Sequence, residues 1–343
     1  AQTPVRPRDH SRLLVVHRQT ENFHHKHFYD LPSLLKPTDV LVLNNSKTLP
    51  ARTFGKKSTG GGLEVLFIKK LEQYPLKKIE IWEVLTRPGI KKGHVVSFDK
   101  TTMKLTCIEN LGYTRKVEVS GFEGSVIEVL HHIGHLPTPH YIHERLKQNS
   151  DYQTIYAKAE GSVATPTAGL HFTQSLLYEL SNKNIQTIEV TLHVGLGTFL
   201  PVKTQNIAEH EMHREWFTLS PEVAKKLNAW KLEGRRIIAV GTTTTRVLES
   251  CAVWNEEHQT YLLEPQTGET QSFFYPPYQF KFVDALITNF HLPKSTLLML
   301  ISAFCSQNTP FTTFAESLAG KAYTEAIAQN YRFFSFGDAM LIV

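Results

Sequence analysis

The chain has 343 residues, enough for two domains of ordinary size. With 20% charged and 41% hydrophobic residues its composition is globular, which excludes a disordered chain, and a formal net charge of +5 excludes a histone-like tail while permitting local nucleic-acid-binding patches. Three separated cysteines, Cys107, Cys251 and Cys305, form no C-x-x-C pair, and the apolar run at 297–304 is too short to span a bilayer; a reduced, cytoplasmic protein with no membrane partner is expected.

Residues 12–17 and 39–43 read as strands around a short Pro-bounded helix at 31–37. Asn44-Asn-Ser46 supplies turn chemistry, and Arg52 lies just beyond. Between 56 and 145 the texture changes. Six short runs (63–68, 79–85, 94–98, 103–108, 114–119 and 125–130) are separated by Gly, Pro or charge and lack helical periodicity, which predicts a small barrel or sandwich.

From Tyr152 onward the rhythm is strand, loop, helix. Phe172, Leu176, Leu177 and Leu180 share one helical face, and 188–194 alternates as a half-buried strand. Ser220-Pro-Glu222 starts a helix that Gly234 stops. The strand at 235–241 runs into four threonines and a helix; 283–290 repeats the pattern into His291 and a helix from Ser295, and a last helix is expected over 312–329. The fold class is therefore α/β, a mixed, largely parallel sheet with flanking helices, interrupted by an inserted small β-barrel domain. Residues 1–55 and 146–343 are assigned to the α/β domain and 56–145 to the barrel.

The most ligand-like stretch is 160–173, built of small residues, hydroxyls, two glycines and His171 ahead of a helix start. Ligands in parallel sheets lie beyond the carboxyl ends of the strands, so the loops at 193–199, 241–245 and 289–293 are expected to share its crevice. His193-Val-Gly-Leu-Gly-Thr-Phe199 lacks the third glycine of a dinucleotide fingerprint, and there is no Walker A sequence. His210-Glu-Met-His213 is one residue short of the H-E-x-x-H zinc pattern, which favours acid/base or substrate contact, with a plain polar segment as the alternative. Gly241-Thr-Thr-Thr-Thr-Arg246 suits a carboxylate or phosphate, or simple helix capping. His24, His25 and His27 read as an exposed strand rather than metal ligands. Paired lysines at 69–70, 77–78 and 91–92 suit either phosphate contact or edge protection.

Taken together these segments resemble one family over nearly the whole chain, the S-adenosylmethionine:tRNA ribosyltransferase-isomerases of queuosine biosynthesis. The resemblance rests on Tyr152-Gln-Thr-Ile-Tyr-Ala-Lys158, Pro166-Thr-Ala-Gly-Leu-His-Phe-Thr173, Thr191-Leu-His-Val-Gly-Leu-Gly-Thr-Phe199, His210-Glu-Met-His213, Thr288-Asn-Phe-His-Leu-Pro293 and Tyr331-Arg-Phe-Phe-Ser-Phe-Gly-Asp338. Departures are modest: Thr165, Leu196, Thr244, Thr245 and Val247 replace the usual residues. The family also begins with a short segment without counterpart here, which is expected to leave one wall of the site incomplete. The resemblance implies transfer and isomerisation of the ribosyl part of S-adenosylmethionine onto 7-aminomethyl-7-deazaguanine at the wobble position of tRNA. Epoxyqueuosine is formed, with adenine and methionine released. It implies S-adenosylmethionine as a co-substrate, no other cofactor, no metal, a tRNA with a GUN anticodon, and an α/β domain carrying a barrel. A monomer is expected.

Residue chemistry then assigns roles. A base must deprotonate the sulfonium-activated ribose carbon and an acid must help adenine leave, which suits imidazoles and carboxylates. His171 and His193 are placed nearest the ribose, with His210, Glu211 and His213 as the alternative proton-transfer group. Thr167, Gly169, Thr173, Gly195, Gly197 and Thr198 are expected to shape the substrate site. Thr242, Thr243 and Arg246 are assigned to the methionine carboxylate or a tRNA phosphate, and Asn289 and His291 to a base. Arg6, Arg8, Arg12, Arg52, Lys158 and Arg332 are assigned to tRNA phosphates. The rival readings are a metal-dependent hydrolase using His193, His210 and His213, and a non-catalytic tRNA-binding protein.

Overall fold

A computed structural model of the chain describes all residues except 145, 196, 198–206, 211 and 308. Two compact units result, one of residues 1–46, 140–159 and 165–343, the other of 47–139 and 160–164. The seam drawn from sequence at 55/56 falls inside the strand Arg52–Lys57, which pairs with barrel strands on both sides.

In the larger unit the buried apolar runs form a nine-stranded sheet. Its order is Gln266–Thr270, Glu215–Leu219, Gln186–Leu192, Val40–Asn44, Ile237–Val240, Ala285–Asn289, Ala339–Ile342, Arg12–Val16 and Phe23–His27. Four junctions are parallel, including the three that join Gln186–Leu192 through Ala285–Asn289, and four are antiparallel, so the sheet is mixed. The strands Val40–Asn44, Ile237–Val240 and Ala285–Asn289 are buried at every residue, as continuous apolar strands covered on both faces must be. One core cluster packs Leu41, Leu43, Ile238, Val240 and Ile287 against Phe28, Phe172, Leu176 and Leu180; of the helical face read from sequence, Leu177 is only partly buried and Phe172 precedes the helix Gln174–Asn182. The edge strand Phe23–His27 is exposed at His24, His25 and His27.

The smaller unit is a closed six-stranded barrel, antiparallel throughout. The sixth run expected as a strand, 125–130, is instead the helix Val126–Ile133. Ser125 Oγ accepts the Glu128 amide at 3.3 Å and the Glu128 carboxylate accepts the Ser125 amide at 3.1 Å, a reciprocal cap that starts a helix. Val126 and Leu130, one helical turn apart, then enter the barrel core. The final helix is shorter than expected, Leu318–Ala328, because Ser317 caps it while the hydroxyls of Thr312 and Thr313 bond Glu316 in a preceding turn. Among the described residues no helix is long and apolar enough to cross a membrane.

Candidate functional site

The strands Val40–Asn44, Ile237–Val240 and Ala285–Asn289 run parallel, and beyond their carboxyl ends lies a cavity of about 260 Å³. Residues 165–168, Val194, Gly241 to Thr243, 288–293, Ser295, Tyr141 and Phe334 line it. It thus gathers residues 165–168 of the 160–173 stretch with residues of all three strand-end loops, at the place where an open α/β sheet binds ligands.

The helix after the 160–173 stretch does not open onto this cavity. Thr173 caps it, accepting the Leu176 amide at 3.2 Å while donating to Asp9 at 2.6 Å. The helix start that does face the cavity is that of Thr242–Cys251. Gly241 precedes it at φ 90°, a conformation that strains any side chain, and a glycine has no side chain with which to cap the first amides. Among the described residues, five of the six helices of eight residues or more carry a Ser or Thr cap, and this one does not. Its positive end is left to the cavity.

Two buried asparagines organise the polar wall. Asn44 accepts the amides of Ser46 and Leu192, each at 3.1 Å, and donates to the Leu192 carbonyl at 3.0 Å and to Thr243 Oγ1 at 3.1 Å. Asn289 accepts the Thr167 hydroxyl at 2.9 Å and donates to His171 Nε2 at 3.0 Å and toward the Phe334 carbonyl at 3.4 Å. Phe334 holds φ 73°, a conformation that costs a bulky residue about 1–3 kcal/mol; its amide bonds the Phe290 carbonyl at 3.1 Å and its ring packs on Tyr141. His291 lines the cavity with Nε2 3.0 Å from the Thr288 hydroxyl, and burial pushes its pKa down to about 4.

Of the residues assigned to substrate from sequence, Thr167, Thr242, Thr243, Asn289 and His291 are on the cavity wall. The others have different work. Gly169 is a packing site, where a Cβ would collide with the Tyr156 hydroxyl, and Thr173 is the helix cap. The Gly195 amide bonds Glu215 at 2.8 Å, and Gly197 lies against the His213 ring. Arg246, 5% exposed, forms a buried ion pair with Glu215 away from the cavity wall, and burial lowers its pKa to about 10. Thr198 and Glu211 lie outside the described residues.

The histidines assigned to proton transfer are also off the wall. His171 stands behind Asn289, stacked on Phe28 at 4.9 Å, with Nδ1 2.7 Å from Ser11 Oγ; burial, then Arg8 and Arg332, push its pKa down to about 3. His193 stacks on Trp216 at 4.9 Å and bonds Ser46 Oγ at 2.7 Å, and burial lowers its pKa to about 4. His210 packs edge-on against Phe273. Among the described residues no three His, Cys, Asp or Glu side chains converge closely enough to hold a metal ion. Sequence reasoning missed Asn44, Tyr141, Thr288 and Phe334. Asn44 reads as turn chemistry in the sequence, and nothing in the local pattern of the other three marks them as cavity residues.

The six cations assigned to tRNA are all engaged within the chain. Arg6 pairs with Asp151, Arg8 donates to the Gln153 carbonyl, and Arg332 to the Thr3 carbonyl. Arg12 meets Asp338 at 3.4 Å and Arg52 meets Glu64 at 3.1 Å. Lys158 meets Glu189 at 2.8 Å yet leaves 66% of its side chain exposed, and Arg6 leaves 59%.

The family described as "Queuosine biosynthesis protein" matches residues 1–342. The S-adenosylmethionine:tRNA ribosyltransferase-isomerase of Desulforamulus reducens is 44% identical, the alignment covering 100% of this chain and 96% of that protein. Its counterparts in Symbiobacterium thermophilum and Staphylococcus haemolyticus are each 46% identical with the same coverage. The crystal structure of S-adenosylmethionine tRNA ribosyltransferase from Thermotoga maritima is similar over 100% of this chain and 96% of that one, with 36% identity and a TM-score of 0.52.

Proposed function

The chain belongs to the queuosine biosynthesis family of S-adenosylmethionine:tRNA ribosyltransferase-isomerases, and we propose that the cavity beyond Gly241 is where it works on its co-substrate. It is a transferase of queuosine biosynthesis. It moves and isomerises the ribosyl part of S-adenosylmethionine onto 7-aminomethyl-7-deazaguanine in tRNA, and adenine and methionine leave. That membership replaces the metal-hydrolase and non-catalytic readings.

One observation carries the placement: the cavity at the parallel strand ends is floored by an uncapped helix start, flanked by threonine hydroxyls. Such a floor suits an anionic group on a small ligand. For the proton-transfer step, His291 and His140 are the imidazoles on the wall. His291 is the better candidate, because Thr288 fixes its ring on the wall and burial leaves it unprotonated at neutral pH, although the same burial weakens it as a base. His171 is assigned instead to holding Asn289. The tRNA is one with a GUN anticodon, Arg6 and Lys158 are the exposed members of the six cations assigned to it, and the enzyme acts as a cytoplasmic monomer.

Adenine release from S-adenosylmethionine, with tRNA already carrying the 7-aminomethyl base, tests the reading. His291→Ala is expected to slow turnover roughly 10²–10⁴-fold. Since a group titrating at about 4 is neutral throughout, wild-type turnover is expected to hold level from pH 8 to pH 6 with respect to this base. Near-normal turnover in the alanine variant would remove His291 from the proton-transfer role.

A further inference from the structure

Two asparagines give opposite hydrogen-bond sense to two hydroxyls of the same cavity. The side-chain oxygen of Asn44 accepts two backbone amides and its nitrogen faces the Leu192 carbonyl. Turning this amide over would set oxygen against carbonyl and NH₂ against two N–H groups, so the backbone fixes its orientation. The second proton of that nitrogen goes to Thr243 Oγ1. Thr243 therefore accepts from behind and keeps its own proton for the cavity. Its neighbours spend theirs differently: Thr244 donates to the Val240 carbonyl at 2.8 Å and Thr245 to the Gly241 carbonyl at 3.2 Å.

Asn289 works in the other direction. A carbonyl can only accept, so the amide nitrogen must face Phe334, and it also donates to His171 Nε2. His171 then carries its proton on Nδ1 and gives it to Ser11 Oγ at 2.7 Å. The oxygen of Asn289 is left to take the Thr167 proton. Thr167 thus shows the cavity lone pairs alone. A third hydroxyl completes the set: Thr242 is 6% exposed, lines the cavity at the open helix start, and its hydroxyl has no hydrogen-bond partner among the described residues.

The geometry points to an α-amino-acid end seated between these poles, its carboxylate on Thr242, Thr243 and the helix start and its ammonium on Thr167. In this enzyme that is the methionine end of S-adenosylmethionine, and the assignment rests on the cavity being the co-substrate site. Among the described residues no Asp, Glu, Lys or Arg lines the cavity, and the helix start and oriented hydroxyls are the groups there that suit a zwitterion. A purine edge would also offer a donor beside an acceptor, but it brings no negative charge to the helix start.

S-adenosylhomocysteine, its decarboxylated form and its desamino form can be compared as inhibitors of adenine release, alongside the KM for S-adenosylmethionine. The wild type is expected to favour the intact zwitterion over either truncated form by roughly tenfold to a hundredfold, the range of a hydrogen bond to a charged group. Thr243→Val should erase most of the preference over the decarboxylated form and leave the preference over the desamino form. Thr167→Val should do the reverse, and Thr243→Ser should restore the first preference. If both valine variants weaken all three inhibitors alike, the cavity holds the co-substrate by another end and the polarity assignment fails. If neither variant moves the KM or any inhibition constant, the cavity is not the co-substrate site and the functional placement fails with it.

Discussion

His171 shows what a single side chain can report. In the fold its pKa is pushed down to about 3 by burial, whereas in an unfolded chain a histidine titrates near 6.5. Below that value the unfolded form takes up a proton that the folded form refuses, so the contribution is complete above about pH 6.5 and drains away down to about pH 3 at roughly 1.4 kcal/mol per pH unit. His171→Gln has no such proton to lose. Unfolding free energies from urea titrations at pH 6, 5 and 4 should fall less steeply in the variant by about that slope; parallel pH profiles would refute the buried neutral ring. The same residue shows how far the sequence could be read. The small, hydroxylated residues of the 160–173 stretch read as a ligand loop, yet Val163, Ala168 and Phe172 enter the cores and residues 165–168 are the part that lines the cavity. Which hydroxyl turns inward was not legible, because Thr167 reaches the wall through a bond to Asn289 while Thr173 is taken by a helix start and Asp9.

Among the elements, the helix Thr242–Cys251 depends on a contact that the sequence conceals. Its Arg246 lies beside a run of threonines and reads as a ligand-binding cation, but it is paired with Glu215 on the strand Glu215–Leu219, with both side chains nearly buried. A partner 31 positions away leaves no local signal. Removing one half of such a pair strands the other: Glu215→Gln is expected to cost about 3–5 kcal/mol in urea unfolding, while the double change Glu215→Leu with Arg246→Met should recover most of it. A single variant as stable as the wild type would mean that the pair does not hold the helix. The barrel's sixth run went unread for the opposite reason. Its signal was present, Ser125 followed three residues later by Glu128, but a run of Val and Ile reads as a strand until the cap is given weight. The parallel strands were the most legible elements, because continuous Val, Ile and Leu bounded by polar turns leave few alternatives for a buried segment.

For the whole molecule the question is where tRNA charge is met. The α/β unit neutralises several of its own cations, Arg6 with Asp151, Arg12 with Asp338 and Lys158 with Glu189. Meeting a phosphate backbone with those residues would mean giving up these pairs, whereas Lys26, Lys36, Lys225, Lys226 and Lys294 are exposed without an ion pair among the described residues. The barrel unit offers a different surface. The strands Gly62–Tyr74 and Ile79–Arg87 stay paired out to Tyr74 and Ile79, and residues 69–78 of this hairpin are exposed throughout, with Lys69, Lys70, Lys77 and Lys78 among them. Exposed Tyr74 and Leu76 stand between the lysine pairs, a mixture of stacking surface and positive charge that suits an RNA loop. Lysine on an edge also guards against strand pairing, and the two roles part company in their salt response. If the hairpin meets phosphates, Lys77→Glu with Lys78→Glu should weaken tRNA binding and flatten the plot of log affinity against log salt by roughly one unit per lost contact. The KM for S-adenosylmethionine should stay where it was, since neither lysine lines the cavity. Equal salt slopes for variant and wild type would assign these lysines to edge protection and return the tRNA contact to the arginines of the α/β unit.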